Sequence, residues 1–453
     1  MGETIKRKMN DSAFVRWSAL ILIALMMFFA YMFVDMLSPL KSQLETSLSW
    51  NSTTFGTYAS SEYFLNVFCF FLIFAGMILD KMGIRFTGLL SASLMVIGAC
   101  IKYYGMSDLF IGSSLEAWMN SWWTALPGTA KMSCLGFMIF GCGCEMAGTT
   151  VSKAIAKWFK GKEMAMAMGL EMSIARLGVF AAMWLSPLVF NKFGGEISSP
   201  VLFGTILLLI GLIFYTVFVL MDRKFDKQLK EAGELSEEAS EEEFKFKDLG
   251  KIFSSKMFWL VALLCVLYYS AIFPFQRYAP DFLNTTLSVE NGSQLFSCFP
   301  ILAMILTPFL GAFIDNKGKA ASMLMIGSLI MIACHLSFAF LLPKFPYEWL
   351  AVTIVVILGV SFSLVPAALW PSVPKIIDNR ILGSAYCIIF WIQNIGLFAV
   401  PILIGSVLES TGGYTVPMVI FSSFGVLALF FSLWLKRENR KQNFGLEEPN
   451  IKK

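Results

Sequence analysis

A single histidine, His335, stands in 453 residues, and no two of the nine cysteines are spaced C-x-x-C. The first shortage leaves Ser-His-Asp or Cys-His catalysis one candidate imidazole, set in an apolar stretch without a partner pattern. Together they exclude a Cys/His metal site, so no metal, no cofactor and no enzymatic activity are expected. Charge is scarce too. Asp, Glu, Lys and Arg make up 15% of the chain, 35 basic residues against 31 acidic, where soluble domains carry about 25%. So near-neutral a balance excludes nucleic acid as a partner, and the composition excludes the fibrous and disordered classes. Apolar surface is what abounds: hydrophobic residues reach 57%, Phe alone fills 44 positions, and mean hydropathy is +0.70. A water-soluble fold of this size does not hide that much, so the lipid bilayer is the first partner implied.

Apolar runs near the ~20 residues of a bilayer crossing predict twelve spans, at 15–37, 54–79, 86–104, 132–155, 163–190, 200–221, 257–282, 294–314, 320–342, 349–374, 382–408 and 416–435. The first follows Lys6, Arg7, Lys8 and Arg16, but it is too long for a signal-peptide core and lacks a small-residue cleavage site, so it is read as a span. The expected fold is all-α and integral to the membrane: twelve transmembrane helices in two pseudo-symmetric six-helix bundles. Residues 1–221 form the first bundle, and 257–453 the second with its cytoplasmic tail. A polar linker at 222–256 joins them, with an acidic run from Glu231 to Glu243 read as a solvated stretch. With both termini cytoplasmic, only Lys41, Lys102, Lys131, Lys192, Arg277 and Lys344 fall outside and Arg176 mid-span, the other basic residues lying inside. That bias is what the positive-inside rule requires. No acidic dileucine address is found in either tail, which favours a plasma or bacterial inner membrane over a lysosomal one. The outer loop at 105–131 carries Trp118, Trp122 and Trp123, rings suited to the headgroup boundary.

The chain repeats itself. Gly76-x-x-x-Asp80-Lys81-x-Gly83-x-Arg85 joins spans two and three, and Gly311, Asp315 and Gly318 recur 235 positions on, between spans eight and nine, with Lys317 and Lys319 shifting the basic positions. Two halves with a matching loop at the matching place mark a duplicated transporter. The glycines are expected to let helices approach closely, the aspartate to cap a helix start, and the basic residues to hold the loop at the inner surface. At these residues the chain resembles the major facilitator superfamily. A nearer resemblance rests on Trp158-Phe-Lys-Gly-Lys-Glu163, Ser173-Ile-Ala-Arg176, Tyr268-Tyr-Ser-Ala-Ile-Phe-Pro-Phe275, Ala368-Leu-Trp-Pro371, Leu382-Gly-Ser-Ala-Tyr386 and Ile392-Gln-Asn394. These look like the family of major facilitator superfamily domain-containing protein 1, and the likeness covers nearly the whole chain. It implies carriage of dipeptides across a membrane, in animals the lysosomal one. The 105–131 loop and Arg277 with Asp281 depart from the animal members.

An ionisable residue deep in a span is a functional candidate by default. The candidates are Asp35, Glu62, Glu145, Glu171, Arg176 and His335. Spans four and five form a hairpin turning near 158–162, which puts Glu145 and Arg176 each about 15 positions from the turn, roughly 23 Å at the helical rise. They share one depth. Either the two pair with each other and lock the hairpin, or each takes a ligand, with Arg176 forking a carboxylate and Glu145 holding an ammonium, a combination suited to a zwitterion. The resemblance adds that Glu145 and Arg176 match positions taken to hold dipeptide termini, and that Trp370 matches a pocket aromatic. Glu62 is read two ways, as a cavity or proton-carrying residue and as one near the outer interface. Asp35 is expected to contact headgroup water, and Glu171 to be a local partner or gate. Tyr269, Gln393 and Asn394 are mid-span polar groups that suit either a peptide unit or inter-helix bonding. Trp370, between Pro366 and Pro371, marks an expected kink. The reading is an alternating-access carrier, a monomer, of small zwitterions and above all dipeptides, with Glu145, Arg176, Trp370, Glu62, Tyr269, Gln393 and Asn394 toward substrate. Proton coupling through Glu62 or Glu145 and transport driven by the substrate gradient both stay open. The alternative is an exporter of drugs or other amphiphiles, which has no need of the arginine.

Overall fold

The computed structural model describes residues 8–160, 162–231, 249–377 and 382–449. The acidic run beyond Glu231 and Arg380 lie outside the described residues, as do Lys6 and Arg7. The described chain is helical, without a strand, and eleven of its helices are long and apolar enough to cross a bilayer. They are α1 (Ala13–Asp35), α2 (Phe71–Gly105), α3 (Gly128–Trp158), α4 (Met164–Lys192), α5 (Ser198–Glu231), α6 (Lys256–Leu287), α7 (Cys298–Lys317), α8 (Ala320–Leu336), α9 (Glu348–Leu369), α10 (Leu382–Thr411) and α11 (Thr415–Gln442). Leu188, Ile213, Phe309 and Phe430 lie exposed on their outer faces, where a soluble helix would show charge. Lipid is the solvent that accepts such faces.

The twelfth expected span, 54–79, is not one helix. It is laid down as Ser52–Ser61, Phe64–Phe68 and the first turns of α2. Phe70 takes a left-handed backbone conformation, φ 51°, which a right-handed helix does not continue through. The other break falls at Glu62 and Tyr63, where the Glu62 carboxylate is drawn to Arg277 at 2.6 Å. The join expected between spans two and three falls at Gly83, where the backbone leaves helical geometry (φ 72°, ψ 173°) and divides α2 into two helical stretches. Past the expected bundle boundary, α5 continues to Glu231, and its last turns pair with the first half: Asp226 with Arg85 (3.0 Å) and Lys157 (2.6 Å), Asp222 with Lys157 (2.8 Å).

Helix pairings of the first half recur in the second. As α1 packs on α4 and α5, so α6 packs on α10 and α11, and α2 against α5 is repeated by α8 against α11. The loop repeat behaves the same way in part. Gly83 and Gly318 both take positive φ, 72° and 71°, a conformation glycine adopts at no steric cost. Gly318 also marks a close approach, a methyl there falling 2.4 Å from the Glu447 carbonyl oxygen, but two expectations for the repeat do not hold in this state. A methyl group on Gly76 or Gly311 would meet nothing within 4 Å, so neither marks a close approach, and Asp80 lies inside α2 and pairs with Lys153 at 2.8 Å instead of capping a helix.

The halves meet chiefly away from the end that carries residues 9–16 and 443–448. There Ser52–Ser61 lies along α10, α4 along α7, and the Ser38–Leu40 turn against α6. The backbones nearly touch: a methyl on Gly56 would sit 2.3 Å from the Pro401 carbonyl oxygen, and one on Gly405 2.3 Å from that of Ser52. Ser52 N–H donates to Glu409 (3.0 Å), Trp184 Nε1 to Ser297 (3.0 Å), and Lys41 pairs with Asp281 (3.0 Å). All ion pairs joining described residues of the two halves lie at this far end. The structure is therefore closed by charge and by packing on one side.

Candidate functional site

Glu145 on α3 and Arg176 on α4 are both half-buried, and they are not paired with each other. Among the described residues Glu145 has no hydrogen bond or ion pair, and Arg176 meets no carboxylate. The Arg176 guanidinium instead lies over the Phe362 ring of α9, 4.4 Å from its centroid, so the first half touches the second through a cation–π contact. Glu145, Glu171 and Arg176 all lie within electrostatic reach of the Tyr31 hydroxyl on α1. Glu171 is buried and has no described ion pair.

From Phe362 an aromatic wall continues through the second half. Tyr269 and Phe273, one turn apart on α6, stack at 5.4 Å, and both meet Phe362 edge-on. Trp370 Nε1 donates to the Tyr269 hydroxyl at 3.0 Å, and its ring stacks on Phe390 at 4.8 Å. Trp370 stands where α9 ends and the chain passes into a tight 3-10 turn, Trp370–Ser372. The expected kink is this end of the helix, because Pro371 has no N–H to continue the ladder. On α10 the Gln393 side-chain oxygen accepts from the Cys265 thiol at 3.3 Å, and the Asn394 amide nitrogen is buried without a partner. Sequence reasoning thus named Arg176 and Tyr269, which the fold sets against Phe362, and Trp370, which joins them through Tyr269. It missed Phe362 and Tyr31, which no pattern separates from other aromatic core residues.

Glu62 belongs to another group. It is buried, and its carboxylate accepts from Arg277 at 2.6 Å. Arg277 also approaches Asp35 at 3.5 Å and donates to the Val34 carbonyl, while Asp35 accepts from Gln276 at 2.6 Å and from Ser38 at 3.3 Å. Asp35 is 1% exposed, which corrects the expected contact with headgroup water. Of the six basic residues assigned to the outer side, Lys41, Lys102, Lys131 and Arg277 are buried. The fold draws them inward, and only Lys192 and Lys344 stay exposed. His335 is buried among Phe275, Phe338 and Phe421, as a packed core residue.

The repeated helix pairings of the two halves, with charges and rings between them, are the architecture of a membrane transporter. The sequence pattern of the Major Facilitator Superfamily matches residues 23–401, and the chain belongs to that family. It is 28% identical over 444 residues to the lysosomal dipeptide transporter MFSD1 of Bos taurus, covering 95% of this chain and 87% of the bovine protein. A hexuronate transporter of Bacillus subtilis is 23% identical over 335 residues, 69% of this chain and 75% of that protein. Among solved structures, the nucleoside transporter NupG superposes with a TM-score of 0.64 at 16% identity, covering 92% of this chain and 99% of that one. A D-xylose-proton symporter gives 0.66 at 13%, covering 92% and 97%. At such identities the solved structures attest the fold alone.

Proposed function

We propose that the chain carries small zwitterions, dipeptides above all, by rocking its two halves about a central site, with Arg176 holding the substrate carboxylate and Glu145 its ammonium. The observation that carries this reading is that two opposite charges stand half-buried on neighbouring helices and neither has a counter-charge. Unpaired charge within a membrane is costly, and a zwitterion supplies both missing partners at once. Tyr269 and Trp370, already bonded to each other, would wall the side-chain space, and Gln393 and Asn394 would face the peptide unit. The names of the mammalian relatives point to the same substrate class.

In this reading residues 1–221 and 257–453 move as two bodies joined through 222–256, acting as a monomer, and the repeated residues Gly76, Asp80, Lys81, Gly83, Arg85, Gly311, Asp315 and Gly318 are the gating motif. The same reading puts both termini in the cytoplasm, which makes the closed end the outer one. The MFSD1 relatives are named for the lysosome, which weighs against the plasma or bacterial inner membrane expected from the tails.

A thermal-shift screen of the detergent-purified protein against amino acids, dipeptides, tripeptides and amphiphilic drugs tests the proposal, since a ligand of the folded state raises the melting temperature. Stabilisation by dipeptides that disappears in Arg176→Ala is the expected result. Stabilisation by amphiphiles alone, unaffected by the variant, would sink it in favour of an exporter.

A further inference from the structure

The Lys102 side chain on α2 has no role in anything described so far. It is 0% exposed, and its amine has no hydrogen-bond partner. It is caged by three rings, with Nζ 4.2 Å from the centroid of Phe33, 5.1 Å from Tyr58 and 4.6 Å from Phe137. Phe137 is shared, since the Arg277 guanidinium lies 5.6 Å from the same centroid. Two cations thus stand against one ring beside two carboxylates, and only one of them is bonded to the carboxylates.

The difference between the two cations is which half they belong to. Asp35, Glu62 and Lys102 all sit in the first half, Arg277 in the second. When the halves part at this end, as the rocking proposed above requires, Arg277 leaves with α6 and strips Asp35 and Glu62 of their ion pair, while Lys102 stays. Its ionisable neighbours are Arg277, Glu62 and Asp35. Tyr58, one wall of the cage, lies one turn before Glu62, so the amine and the carboxylate face a common stretch of chain.

We propose that Lys102 is the standby counter-ion of this cluster: held in the aromatic cage while the end is closed, it pairs with Glu62 when Arg277 withdraws. A bare buried carboxylate would oppose opening. The exchange of one cation for another removes that penalty at Glu62 and lets the same carboxylate serve both states. The cage gives the idle ammonium partial compensation through the ring faces, with no acceptor to hold it back.

Hydrogen–deuterium exchange on the full-length chain in lipid nanodiscs tests this without any substrate, so its outcome is independent of the dipeptide reading. In Lys102→Met the opened state loses its counter-ion, and exchange in peptides covering 34–41, 52–62 and 276–281 is expected to slow, roughly fivefold, because opening becomes rarer. Adding Glu62→Gln removes the carboxylate that needs Lys102, so in a Glu62→Gln background the same lysine substitution is expected to change nothing. Exchange that is faster or unchanged in Lys102→Met overturns the proposal. So does a Lys102→Met protein that fails to fold, since the amine would then be needed in the closed state, and so does an undiminished lysine effect in the Glu62→Gln background.

Discussion

Arg277 and Arg176 are both guanidiniums inside the membrane-spanning region, and the fold treats them in opposite ways. Arg277 reaches across the halves to Glu62 at 2.6 Å and Asp35 at 3.5 Å. Arg176 also reaches across the halves, but it ends on the Phe362 ring with no carboxylate to meet it, while Glu145 stands unbonded on the neighbouring helix. A charge pair completed by the protein holds one conformation closed. A charge pair left incomplete has its desolvation offset only when something else brings the missing partners. On the proposed reading, the contrast separates a gate from a substrate seat among residues that look alike in the sequence.

The sharpest way to break the comparison is Arg277→Ala. It leaves two buried carboxylates without their cation, which should destabilise the closed state by about 3–5 kcal/mol. The melting temperature should fall and exchange at 34–41 and 52–62 should rise; an unshifted melting curve would count against the gate. Arg176→Ala should do the reverse, leaving the fold intact and costing the substrate contact about 2–3 kcal/mol, roughly 30- to 140-fold in dipeptide binding or uptake. Uptake within threefold of the parent would place the carboxylate seat elsewhere. Between them lies a charge-free control. Gly56→Ala puts a methyl against the Pro401 carbonyl of the other half, an overpacking expected to cost about 1–3 kcal/mol and to loosen the closed end as Arg277→Ala does, with both charge pairs untouched. Equal exchange in Gly56→Ala and the parent would assign the closure to charge alone.

The smallest effect is expected at the opposite end. Asp11 bonds Lys162 at 2.9 Å, and Glu163 bonds Arg16 at 2.9 Å. The Asp11 carboxyl is held below its ordinary range by the Lys162 bond and then by the Lys8 N–H. Glu163 is held down by its own backbone N–H and then by Arg16. Groups lowered on folding contribute stability above their unfolded range and lose it as the pH falls through the folded one. After correction for intrinsic rates, exchange at residues 9–16 should therefore match between pH 7.5 and pH 5 and rise only below about pH 4. A rise already at pH 5, above the range in which Asp and Glu titrate in the unfolded chain, would assign the loss to other groups.

Much of the protein can be read along the chain. Apolar run length located the membrane helices, and Gly83 and Gly318 announced the duplicated loop that the positive φ values bear. The break in the 54–79 stretch was not legible, because Glu62 and Phe70 interrupt an apolar run too weakly to change its hydropathy. Nor was the burial of Lys102 and Arg277. Each stands near the end of an apolar run, where a basic residue ordinarily meets water, and nothing local reveals that another helix covers it.

What the sequence by itself determined is membrane residence, the helical class, the repeat and a short set of candidate charges. Those follow from length, composition and spacing, which are properties of neighbours along the chain and are satisfied within single helices. The tertiary structure alone decided which charges are paired. Arg277 and Glu62 are 215 positions apart, and Arg176 finds Phe362 across the two halves. Whether Arg277 or Arg176 meets a carboxylate depends on what the opposite half presents to it, and no local pattern encodes that.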